Sequence, residues 1–134
     1  MQYSMIIASI LSVTLAQKVA IGAPARGAQV EAGSEVTVQV QRPNTLTGSA
    51  EIGIAVAIGS NNANPNEQLG NVLYKGIFEP ELHERNLPAY QNVTVTVPAQ
   101  STKGYARINV AHAGLVGAGN SPFLETVTWP ITIV

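Results

Sequence analysis

Two histidines, His83 and His112, and eight glutamates are the whole stock from which this 134-residue chain could build an acid–base site. Aspartate and cysteine are absent altogether. The lack of cysteine removes disulfides, thiolate metal ligands and a thiol nucleophile together. A hydrolase needs a nucleophile beside a base, or two carboxyl groups about 5–10 Å apart across a cleft. His112 shares a row with Ile108 and Val110 at a strand end, where a satisfied, half-buried histidine is the plainer reading. His83, between Leu82 and Glu84, reads as a solvated loop residue. Glu79, Glu81 and Glu84 run along one exposed segment beside Arg85, which is a solvated charge run rather than a glycosidase pair.

Metal and cofactor chemistry finds no better footing. His83 with Glu79 or Glu84 offers two ligands, whereas catalytic zinc takes three and structural zinc four. The asparagine-rich loop with Glu67 lacks the dense carboxylates of a calcium loop. A copper enzyme of the oxidative polysaccharide-cleaving type requires histidine at the mature N-terminus, where Gln17 is expected instead. Gly114, Gly117 and Gly119 miss the dinucleotide spacing, and no helix follows them. The expectation is a chain with no catalytic residues, no metal and no cofactor. Charged residues make up only 11% and the net charge is −1, so neither a basic patch for nucleic acid nor a polybasic run for anionic lipid is present.

The elements that would carry these residues are strands. Val93, Val95 and Val97 alternate with Thr94 and Thr96, and Pro98 stops the run. After a polar loop, Ala106, Ile108, Val110 and His112 form a second inward row against Tyr105, Arg107 and Asn109. Further strands are predicted at 18–22 with a kinked continuation over 28–30, at 35–40, and at 50–58 with Ile52, Ile54, Val56 and Ile58 on one face. Two more follow at 71–75 and 123–134, the last with Val127, Trp129, Ile131 and Ile133 inward. Loops are expected at 59–70, 76–88 and 113–122, with a helical turn over 79–85. Inward rows on both strands of a hairpin need a second sheet to cover them. The pattern predicts an all-β, immunoglobulin-like β-sandwich of seven to eight strands, with a small Greek-key barrel as the alternative.

Residues 1–16 carry an apolar run that is too short to span a membrane and ends in small residues, Thr14 and Ala16. They read as a signal peptide, though the n-region has no Lys or Arg, leaving residues 17–134 as one secreted, extracellular domain with no membrane span. Asn92-Val93-Thr94 is an unobstructed N-glycosylation acceptor, outward by its alternation. The loop with Leu115 and Val116, next to Phe123, is a candidate partner contact. Trp129 shares parity with Val127 and Ile131, which favours the core over a sugar platform.

Several pieces occur in an order that resembles a group of small secreted fungal proteins. They are Ala32-Gly33-Ser34, the EIGIAVAIG strand from Glu51, Leu73-Tyr74-Lys75-Gly76, the Asn92–Pro98 strand, and Val110-Ala111-His112 through Leu115-Val116-Gly117-Ala118 to Phe123-Leu124-Glu125-Thr126. The nearest named group is the necrosis-inducing secreted protein (Nis1-like) family of fungal effectors. The resemblance implies interference with plant immune receptor-associated kinases and supplies no catalytic motif. The expected function is a secreted, non-enzymatic binding protein acting on a host or cell-wall protein, with small-molecule substrates not expected. The alternative is a cell-wall or carbohydrate-associated structural module.

Overall fold

The computed structural model describes residues 19–43 and 49–134. These form eight strands and no helix: β1 Ala20–Ala23, β2 Ala28–Val30, β3 Glu35–Arg42, β4 Ser49–Ser60, β5 Asn71–Gly76, β6 Ala89–Thr96, β7 Gly104–Val116 and β8 Ser121–Ile133. The expected leader, 1–16, lies outside the described residues. The strands build two open sheets, one of three in the order β1-β3-β6 and one of five in the order β2-β8-β7-β4-β5. The described residues are all-β, as the alternation predicts, and their two sheets with open edges do not form a closed barrel.

The sheets bury their inner rows against each other. Val38, Val40, Val93 and Val95 of the three-stranded sheet meet Ile54, Val56, Ile108, Val110, Ile131 and Ile133 of the five-stranded one in a single cluster. Branched side chains fill this space because they stand well on a pleated face and are stiff at χ1.

The first strand divides between the sheets. β1 pairs antiparallel with β3, Pro24 and Gly27 break the ladder, and β2 then pairs parallel with β8. Trp129 holds the crossing: its Nε1 donates to the Pro24 carbonyl at 2.9 Å, and the Arg26 guanidinium lies 5.3 Å from its ring centre. The tryptophan is packed against the core, as its parity predicts, with its N–H satisfied.

Three local expectations change. Residues 79–85 form no helical turn; Glu81 instead exchanges main-chain hydrogen bonds with Tyr90, extending the segment along β6. Most of the 113–122 loop is strand, because β7 continues to Val116 and β8 begins at Ser121, leaving a four-residue turn. That turn puts Gly117 and Asn120 at φ of 75° and 52°, a region glycine and asparagine enter most readily. The third change is in β4. Its pairing with β7 slips between Glu51 and Gly53, so Ile52 is an extra residue opposite no partner. A bulge of one residue reverses the faces on its far side. Ile54, Val56 and Ile58 keep the inward row, whereas Ile52 turns out and is 53% exposed.

Candidate functional site

The same bulge brings Glu51 onto the inward row, level with Gly114 of β7 and two pairs beyond His112. On the other side of β7, His112 pairs directly with Glu125 of β8. The imidazole therefore lies between two carboxylates from neighbouring strands. Its Nδ1 bonds Glu125 Oε1 at 2.8 Å and its Nε2 bonds Glu51 Oε2. Glu51 Oε1 also accepts from Arg42 Nη1 at 3.3 Å, so the contact reaches across to β3 of the facing sheet. Glu125 Oε1 takes a further hydrogen bond from the Val19 amide at 2.8 Å.

His112 is fully buried, and the Glu51 and Glu125 side chains are only 8% and 13% exposed. Two aromatic rings close the remaining directions. Phe78 and Phe123 stand edge-to-face to the imidazole with centroids 5.4 and 5.3 Å away. Phe123 can lie there because residue 114 is glycine: a β-carbon at that position would come within 2.6 Å of the Phe123 Cζ.

The charges balance when His112 is protonated. Only the imidazolium donates from both nitrogens, and each nitrogen here faces a carboxylate oxygen. Burial works against the cation, but the hydrogen bonds and charges of Glu125 and Glu51 outweigh it and push His112 from 6.5 up to about 9. Burial likewise raises the Glu51 carboxyl, and His112 and then Arg42 more than reverse this, leaving it below its ordinary 4.5. With Arg42 included, two cations face two anions. Such an arrangement is expensive to break, because removing one partner leaves a buried charge without compensation.

As chemistry, the trio has the groups of a general acid–base pair but no approach for a substrate, because the imidazole is sealed. Its work is to tie β3, β4, β7 and β8 to one another and to the chain at Val19. Among the described residues, no group of three or more His, Cys, Asp or Glu side chains could hold a metal ion.

Neither glutamate was picked out in the sequence. Glu51 falls on the outer face by simple alternation, and only the Ile52 bulge moves it inward. Glu125 carried a readable signal, being of the same parity as Val127 and Trp129, so that a charged residue on an inward row stood opposite a histidine on another. His83 and the glutamates near it lie elsewhere. His83 is exposed with its ring 4.4 Å from that of Tyr90, and Glu84 accepts from the Tyr90 hydroxyl at 3.2 Å.

The surface offers two further features. At the far end of β7 a concavity of about 500 Å³ is lined by Ile58, Ser60, Asn71, Gln100, Lys103 and Tyr105 among others. Near the β7–β8 turn, the outer face of the five-stranded sheet is apolar. Leu115 pairs with Pro122 and Ala113 with Leu124, while Ile52 protrudes beside them on β4. Leu124 is 75% exposed. Of the three residues expected at a partner contact, Leu115 and Val116 sit half-buried at this hairpin end and Phe123 lies inward over His112. Asn92 is exposed on the outer face of β6.

The fold and the sealed ion cluster define a small two-sheet, all-β protein. Its sequence matches the Nis1 family over residues 14–132, nearly the whole chain, and the protein belongs to that family. No curated protein matches it.

Proposed function

We propose that this chain is a secreted, non-enzymatic binding protein, a fungal effector that acts on an immune component of a host plant. The observation that carries this reading is membership of the Nis1 family across residues 14–132. Two features support it. The histidine–carboxylate constellation is closed to substrates, which favours binding over catalysis. The exposed side chains of Ile52 and Leu124, with Leu115 and Pro122 between and beside them, form an apolar face of the kind that marks a protein contact. In this reading residues 1–16 are the removed leader. The two sheets are an immunoglobulin-like framework that presents the hairpin end of β7 and β8. The partner is a receptor-associated kinase of the host.

The test is binding of purified residues 17–134 to purified kinase domains of plant immune receptor complexes, with wall polysaccharides as a parallel arm. A saturable complex weakened about tenfold or more by Leu124→Asp or Ile52→Asp, with unchanged melting temperature, is the expected result. Retention on polysaccharide with no kinase binding would instead assign the chain to the cell wall and overturn the reading.

A further inference from the structure

Among the described residues the two sheets have four open edges, and three of them carry an evident obstacle to pairing with another chain. β1 is four residues long, breaks register after Ile21 and ends at Pro24. β2 is three residues long. β5 is interrupted opposite Val56 and Ala57 and carries Lys75. Short length, proline, irregular register and lysine are the usual guards of a sheet edge.

β6 has none of these. Its eight residues pair with β3 without a break, and it contains no proline and no charge. The stretch Val93-Thr94-Val95-Thr96-Val97 is strongly β-forming and neutral, the composition most prone to pair with a copy of itself. Among the described residues, main-chain hydrogen bonds occupy only the start of this edge, where the Tyr90 N–H and carbonyl bond Glu81. Main-chain groups alternate sides along an antiparallel strand. Since Tyr90 turns its own away from β3, Asn92, Thr94 and Thr96 do the same.

Asn92 begins the acceptor triplet Asn92-Val93-Thr94, and its side chain is exposed on this strand. Its neighbour on the paired side is Gln39. A strand docked on the free side would place a side chain about 5 Å from Asn92, inside the volume of a first sugar residue.

We propose that Asn92 carries an N-linked glycan and that this glycan guards the free edge of β6 against pairing with a second copy of the chain. The inference rests on the secretory route proposed above, which supplies the donor, a lipid-linked oligosaccharide diphosphate. The Asn92 Nδ2 forms a bond to the anomeric carbon, the bond from that carbon to the diphosphate oxygen breaks, the amide gives up one proton, and the lipid diphosphate leaves.

The experiment expresses the full chain in a eukaryotic secretory host as wild type, Asn92→Gln, and the double variant Asn92→Gln with Thr94→Lys. Intact mass before and after enzymatic deglycosylation, melting temperature, and light scattering across micromolar concentrations are measured. Secreted wild type is expected to carry a glycan mass that Asn92→Gln lacks, and to remain monomeric. Asn92→Gln is expected to melt close to the wild type yet form dimers and larger species. Thr94→Lys, which restores a guard of another kind, is expected to return it to monomer. A secreted wild type with no glycan would overturn the proposal while leaving the secretory reading intact. A chain retained inside the cell would overturn both. Monomeric Asn92→Gln at every concentration would overturn the guarding role alone, and aggregates that Thr94→Lys leaves unchanged would assign the defect to folding and overturn it as well.

Discussion

Val38 and Val40 on one sheet and His112 on the other are buried to the same degree, with no solvent exposure at any of the three. The regions around them are held by different physics. Around the valines the attraction is the removal of apolar surface from water, which is non-directional and tolerates small shifts. Around His112 it is a set of hydrogen bonds between charges, whose geometry depends on the strand register of β4 and β8. The apolar region can lose one group and keep most of its stability. The ionic region fails as a unit, because each missing partner leaves a buried charge without compensation.

That difference predicts a graded series. Glu125→Ala removes the acceptor of both His112 Nδ1 and the Val19 amide, and is expected to cost about 3–5 kcal/mol at pH 6 in urea unfolding. Next comes pH. His112 rises from 6.5 to about 9 on folding, so the folded state keeps a proton that the unfolded chain has lost. Its contribution, roughly 3 kcal/mol, is complete below the unfolded value and lost as pH climbs through the folded one. Glu51 shifts the other way, and its contribution is lost as pH falls below 4.5. Melting temperature is therefore expected to be highest between pH 4.5 and 6.5 and to decline toward about 9, with His112→Gln abolishing the alkaline decline. A melting temperature flat from pH 6 to 10 would show that the imidazole is neutral in the fold.

Val38→Ala, in the apolar region, is expected to cost about 2 kcal/mol from lost burial and the cavity left behind, equally at pH 6 and pH 9. A cost that varied with pH would mean the two regions are coupled. The smallest effect is expected at Ile52→Thr, within about 0.5 kcal/mol, since its side chain is in solvent and only its place in the count of residues matters. A large loss there would show that the bulge depends on the isoleucine itself.

Alternation made the strands legible. Val93, Val95 and Val97, or Ala106, Ile108 and Val110, announce their inward face without reference to any neighbour. The hairpin of β7 and β8 was less legible, because Gly114, Gly117 and Gly119 read locally as a loop while cross-strand pairing extends both strands past them. The ion cluster was hidden for a stronger reason. Glu51 reaches His112 only because β4 gains one residue relative to β7, and that offset is a property of two strands whose Glu51 and His112 lie 61 positions apart in the chain. Local pattern reports the face of a residue only as long as the register holds.

The division of the first strand between the sheets has a mechanical consequence. β2 runs parallel to β8, and the Val134 amide closes their ladder on the Val30 carbonyl. Tension between Pro24 and Val134 therefore slides the two strands in opposite directions and stretches their bonds together, rather than opening them one at a time. The protein should resist a pull along these strands far better than one that peels β8 sideways from the sheet.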